Sequence, residues 1–142
     1  MPSTSWSLHP QLEADTVAVG DLRLGRLLLS KDSNFPWLIL VPRRPGAVEL
    51  IDLAATDRSQ LTSEIDAVGR ALKTVTSCDK LNVAALGNMV PQLHVHIIAR
   101  RTTDAAWPRP VWGAVPPRPY ADNDLARLLA ALRGSLGNDL SP

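Results

Sequence analysis

Apolar positions fall in short runs along the first third of this chain, and their spacing then changes from strand-like to helical and back. Residues 16–19 and 22–29 are rich in Val and Leu and flank Gly20-Asp21, which predicts a β-hairpin with its turn at that dipeptide. Residues 36–41 form an apolar run ended by Pro42, the mark of a buried strand, and Pro42-Arg43-Arg44-Pro45-Gly46 reads as a basic turn. From Asp57 onward Leu61, Ile65, Val68, Leu72 and Val75 recur on one face of a helix, with Asp57 and Gln60 spaced as a capping box. Ser77 to Lys80 ends that helix. Residues 81–86 return to strand character, and 87–91 read as a loop.

The next segment, Gln92-Leu93-His94-Val95-His96-Ile97-Ile98, alternates polar and apolar before turning apolar. Residues two apart on a strand share a face, so a half-buried strand here lines up Gln92, His94 and His96 in one row. Beyond it, residues 100–112 are irregular and hold two of the four tryptophans, and residues 108–119 contain five prolines, which excludes regular helix or a central strand. Leu125, Leu128, Leu129, Leu132 and Leu136 form the stripe of a last helix that starts near Asp122. The expected fold is α+β: one antiparallel sheet of about five strands, a main helix packed on one face, and a C-terminal helix. Its expected organisation is a loosely held lead-in over 1–15 with a helical turn near Gln11, a central domain over 16–105, a Pro/Trp-rich arm over 106–120, and the last helix over 121–138. In the arm, Trp107 and Trp112 are costly to leave in water and are expected to pack against the body or across a dimer, near the active site. A polyproline II ligand at Pro116-Pro117-Arg118-Pro119 is the weaker reading.

Composition narrows the function classes. A chain of 142 residues is enough for one domain with a sizeable core, and 45% hydrophobic with 20% charged residues is ordinary for a globular protein. A formal net charge of +1 gives no electrostatic case for a nucleic acid polymer or a membrane surface. The lone cysteine, Cys78, excludes an intrachain disulfide and a multi-cysteine metal site, which fits a reducing, cytoplasmic setting. No apolar run is long enough to span a membrane, and the amino terminus does not read as a signal peptide.

Two of the three histidines lie in the row at 92–96. A neutral imidazole can attack phosphorus and form a phosphohistidine, and a second imidazole beside it can hydrogen-bond a phosphoryl oxygen or protonate a leaving group. The preceding loop, with Gly87, can offer backbone N–H groups to developing charge, and Arg100 and Arg101 follow the strand. Zinc is the other chemistry open to two histidines on one strand face. It needs a third ligand, from Asp104 or a partner subunit, because His9 is expected far away.

The segment resembles the signature of the histidine triad family, His-φ-His-φ-His-φ-φ with φ apolar, at six of seven positions. Leu38-Ile39-Leu40-Val41-Pro42-Arg43-Arg44 resembles the family's strand and Pro-basic turn. The resemblance spans residues 16–101. It implies an antiparallel sheet, usually in a homodimer whose sheets join. It also implies hydrolysis or transfer of nucleotidyl groups from phosphoramidates, dinucleoside polyphosphates and related compounds, with no metal or other cofactor required. By the same resemblance His94 is the nucleophile and His96 its assistant, with Gln92 in the first triad position. Asn88, Asn82 and Arg100 fall among candidate phosphate or ribose contacts, and Asp32 and Asn34 fall in the loop that meets the nucleoside. Two positions depart from the pattern: Gln92 replaces a histidine and cannot titrate, and Trp37 stands where relatives often have another histidine.

Overall fold

The computed structural model describes residues 5–142. Its main elements are α1 (Pro10–Asp15), β1 (Thr16–Asp21), β2 (Gly25–Ser30), β3 (Trp37–Pro42), α2 (Ala55–Thr76), β4 (Lys80–Ala84), β5 (Val95–Arg100) and α3 (Asp122–Leu136). The strands form the expected antiparallel sheet, five-stranded and ordered β1-β2-β3-β5-β4.

Register explains why both faces of this sheet are apolar. Leu27, Leu40 and Val95 are cross-strand neighbours, as are Leu29, Leu38 and Ile97. This set packs against Leu61, Val68 and Leu72 of α2 and Leu132 and Leu136 of α3. Leu28, Ile39 and His96 are neighbours on the other face. There Leu28, Ile39 and Val41 are covered by Leu12, Trp6 and Leu8 of the lead-in, while Ile98 is covered by Phe35, Ala106 and Val111. Trp37 packs against both of these clusters.

Helices α2 and α3 therefore cover one face, and the lead-in with α1 and the irregular arm cover the other. The expected half-buried strand is instead buried at all six positions of β5. The expectation of a loose lead-in is corrected in the same way for residues 5–15, since Leu12 is buried and α1 is capped by the His9 side chain. Residues 1–4 of that predicted segment lie outside the described residues.

Two local expectations fail because distant partners override local chemistry. Gly20-Asp21 is not the hairpin turn: it belongs to β1, and the chain reverses over residues 22–24. That turn is held by buried Glu64 of α2, whose carboxylate accepts the N–H groups of Leu24 and Gly25 at 2.9 and 2.8 Å. Gly25 has no room for a side chain, because an added Cβ would lie 2.6 Å from Leu40. Likewise α2 starts at Ala55 behind Ala54, which makes no side-chain cap, and Asp57 pairs with Arg44 of the Pro-basic turn at 2.6 and 3.0 Å.

The sheet edges differ. A bulge lies between Ala18 and Gly20 of β1, where Arg133 of α3 donates to the carbonyls of Val19 and Ala18. Ser141 N–H donates to Asp21 O. At the β4 edge the Lys80 ammonium of the same strand donates to the Leu81 carbonyl at 2.8 Å, and Val83 is 52% exposed.

Candidate functional site

His94 and His96 sit at the seam between the two covering segments. The His94 ring lies within 2.7 Å, at Nδ1, of the main-chain carbonyl of Gln92. A carbonyl only accepts, so Nδ1 carries the ring proton and Nε2 of neutral His94 carries the lone pair. His96 is constrained in the opposite sense. The Trp37 indole N–H donates to His96 Nδ1 at 2.9 Å, which leaves the ring proton on Nε2. The two ring centroids are 4.9 Å apart and tilted. Adjacent imidazoles thus present one lone pair and one N–H donor.

Both rings are buried. Burial, reinforced by the neighbouring His94, pushes the His96 pKa down to about 4, so this ring is neutral near physiological pH. Trp112 of the arm stands edge-on to His96 and Trp37, with centroids 5.1 and 5.8 Å away. A cleft of about 270 Å³ opens beside His94, walled by Val48, Leu50, Ile51 and Leu86, with Glu49 at its margin.

Other residues singled out in the sequence have their side chains engaged elsewhere. Gln92 lies just before β5, and its amide clamps the lead-in: Oε1 accepts from His9 N–H at 2.8 Å and Nε2 donates to Ser7 O at 2.9 Å. What it brings to the histidines is its main-chain carbonyl. His9 is correspondingly not remote, although its own imidazole caps α1. Arg100 is neither solvated nor free for phosphate. Its guanidinium is buried, paired with Asp104 at 2.7 Å, and bonded to Asn82 Oδ1 at 2.9 Å and Arg109 O at 2.8 Å. The Asn82 side chain is thereby committed to Arg100. Burial raises the Asp104 carboxyl, but bonds from Arg100 and from the N–H groups of Arg101, Ala106 and Trp107 outweigh it and hold the pKa at about 2. Arg101 donates to the Thr76 carbonyl at the end of α2.

Asp32 and Asn34 fasten the arm. Asp32 Oδ1 accepts from Asn34 and from Arg118 N–H, and Asn34 Nδ2 donates to Pro116 O at 2.8 Å. The arm is thus a fixed cover, as the ordered-arm reading expected, with Trp112 against His96 and Trp107 over the Arg100 guanidinium. Asn88 is exposed on the loop before the histidines, where Gly87 takes φ +79°. Among the described residues, no group of three His, Cys, Asp or Glu side chains is placed to hold a metal ion. Sequence reasoning missed the role of Trp37. No sequence signal points to it, because the role follows from the register that pairs Ile39, two residues on, with His96.

An open five-stranded antiparallel sheet with two helices on one face and a paired-histidine site on the other defines the class: a histidine triad fold. The chain belongs to the HIT domain family, whose pattern it matches over residues 11–103. Members of this family are generally nucleotide hydrolases or transferases, although some are catalytically inactive. Similar solved structures include a histidine triad protein from Bradyrhizobium japonicum, 58% identical over 93% of this chain and 98% of that one, with a TM-score of 0.92. One from Marinobacter aquaeolei VT8 is 44% identical over 96% and 99%, with a TM-score of 0.92. Another, from Sinorhizobium meliloti 1021, is 40% identical over 92% and 96%, with a TM-score of 0.89. No curated protein matches the chain.

Proposed function

We propose that this protein is a nucleotidyl hydrolase or transferase working through a covalent nucleotidyl-His94 intermediate. The observation that carries the reading is the bond between His94 Nδ1 and the Gln92 carbonyl, which presents the Nε2 lone pair. That lone pair forms a bond to the α-phosphorus of a nucleoside phosphoramidate or dinucleoside polyphosphate, and the bond to the leaving group breaks with its electron pair. The ring becomes cationic, and the same carbonyl stabilises the Nδ1–H of that cation. The His96 Nε2–H donates to a phosphoryl oxygen. Water then attacks phosphorus, the electron pair returns to His94, and a nucleoside monophosphate leaves with a proton lost to solvent. No metal or other cofactor enters these steps.

The test is incubation with adenosine phosphoramidate and with diadenosine polyphosphates, read by product mass and by intact-protein mass for a trapped nucleotidyl adduct. Turnover and an adduct on at least one of the two substrate types, both absent in His94→Ala, are expected. Tight nucleotide binding with neither would instead define a non-catalytic binding module.

The same reading includes a homodimer joined at β4. That edge lies with exposed Val83, Leu86, Met89 and Ile51 on the flank that carries the cleft beside His94. Light scattering of wild type against Val83→Lys tests it: a dimer that becomes a monomer is expected, and a wild-type monomer overturns it.

A further inference from the structure

The geometry points to Trp37 as the positioning residue that keeps His96 a neutral hydrogen-bond donor and thereby restricts the protein to leaving groups that depart as stable oxyanions. This rests on the reading of His94 as nucleophile.

An indole N–H donates and never accepts. At 2.9 Å from His96 Nδ1 it is satisfied only while that nitrogen keeps its lone pair. Protonating His96 would put a second N–H against the indole, and the packing around Trp37 holds the indole in place. It packs into both covering clusters and meets Trp112 edge-on. The surroundings of His96 add nothing that would favour a cation. Its cross-strand neighbours are Ile39 on β3 and Ala84 on β4, and its ring neighbours are Trp37, Trp112 and His94. Of these only His94 is an ionisable side chain, and its influence on His96 is repulsive. The nearest cation along the strand, Arg100, is paired with Asp104.

The chemical consequence concerns the leaving group. A neutral imidazole that gave up its Nε2 proton would become an imidazolate, far too basic to form in such a step. His96 can therefore bond to a phosphoryl oxygen but does not act as general acid. When His94 forms its N–P bond, the electron pair of the breaking bond must stay on the leaving atom unaided. A phosphate or carboxylate oxygen, leaving a phosphoric or mixed anhydride, holds that pair as a stable anion. An alkylamine nitrogen does not, because it needs a proton as the P–N bond breaks.

Two measurements test the proposal. Imidazole nitrogen shifts of isotopically labelled histidine in the wild-type protein report the tautomer without requiring activity. The neutral Nε2–H form of His96 is expected to persist from about pH 8 to about pH 5. An Nδ1–H form, or an imidazolium near neutral pH, overturns the proposal. The second is a leaving-group series from one nucleotidyl group: diadenosine polyphosphate, an arylamine phosphoramidate and an alkylamine phosphoramidate. Wild type should favour the anhydride over the alkylamine by about a hundredfold or more, the scale of lost general-acid assistance, and Trp37→Phe should narrow the gap about tenfold while raising the His96 pKa. Equal rates across the series in wild type overturn the leaving-group rule. Absence of turnover on every member removes the His94 reading and the leaving-group rule with it, whereas the tautomer assignment stands or falls on the nitrogen shifts alone.

Discussion

Gln92 Oε1 accepts the His9 N–H at 2.8 Å, joining positions 83 residues apart in sequence. The residue in the first triad position thus uses both ends of its amide on main-chain atoms of the lead-in, and a histidine ring cannot donate and accept in that parallel geometry. Gln92→Ala is expected to lower stability by about 1–2 kcal/mol through the two lost bonds. It should also speed hydrogen exchange and proteolysis in residues 5–15. Because the carbonyl facing His94 is main chain, formation of a nucleotidyl adduct should survive. A variant whose lead-in stays fully protected would refute the clamp.

Arg100 and Asp104 should be the most costly polar pair to break. Arg100→Ala leaves a buried carboxylate without its partner and detaches Asn82 and the Arg109 carbonyl. The expected loss is about 3–5 kcal/mol in urea unfolding. Joint replacement of Arg100 and Asp104 should cost less than the sum of the two single changes. Strict additivity would show that the pair is not coupled.

Acid should weaken the protein in two stages. His96 is held neutral in the fold, with its pKa pushed from 6.5 down to about 4, so the unfolded chain takes up its proton first. Stability from that difference is complete above the unfolded value and is lost as pH falls through the window between the two. Asp104, lowered from 3.8 to about 2, contributes stability above its unfolded value that is lost over a second, more acidic window. Unfolding midpoints followed against pH should show both stages, and His96→Gln should remove the upper one.

Ala54 precedes α2 in extended conformation and caps nothing. Ala54→Ser should accept an N–H of the first turn and raise stability by about 1 kcal/mol without touching the histidine site. Thermal unfolding and adduct formation measured together check both halves of that expectation.

The strands and main helices were legible in the sequence because each is specified by its own period, and His94 and His96 because a strand puts alternate residues on one face. What lay beyond local pattern was everything fixed by a second partner. Asp57 has the spacing of a cap, but Arg44 is close enough to claim it. Gly20-Asp21 has turn composition, but Glu64 holds the turn three residues later. The polar side chains of Asn82, Arg100, Asp32 and Asn34 read as available for phosphate or ribose because the contacts that commit them, Asn82 with Arg100, Arg100 with the Arg109 carbonyl, Asp32 with Arg118 and Asn34 with Pro116, leave no local pattern. Their partners arrive from the arm or from the neighbouring strand. Trp37 looked like a lost histidine until the register of β3 against β5 brought its indole to His96.

The inequality of the two sheet edges bears on how copies of this chain can accumulate. A sheet with two open edges can add neighbours on both sides without end, which is the geometry of a fibre. Here Arg133 and Ser141 from outside the sheet occupy main-chain acceptors along β1, whereas at β4 the Leu81 carbonyl meets the Lys80 ammonium of its own strand. Two copies that meet there through a two-fold axis use up both growing ends at once. A dimer of that kind, proposed above, is self-terminating.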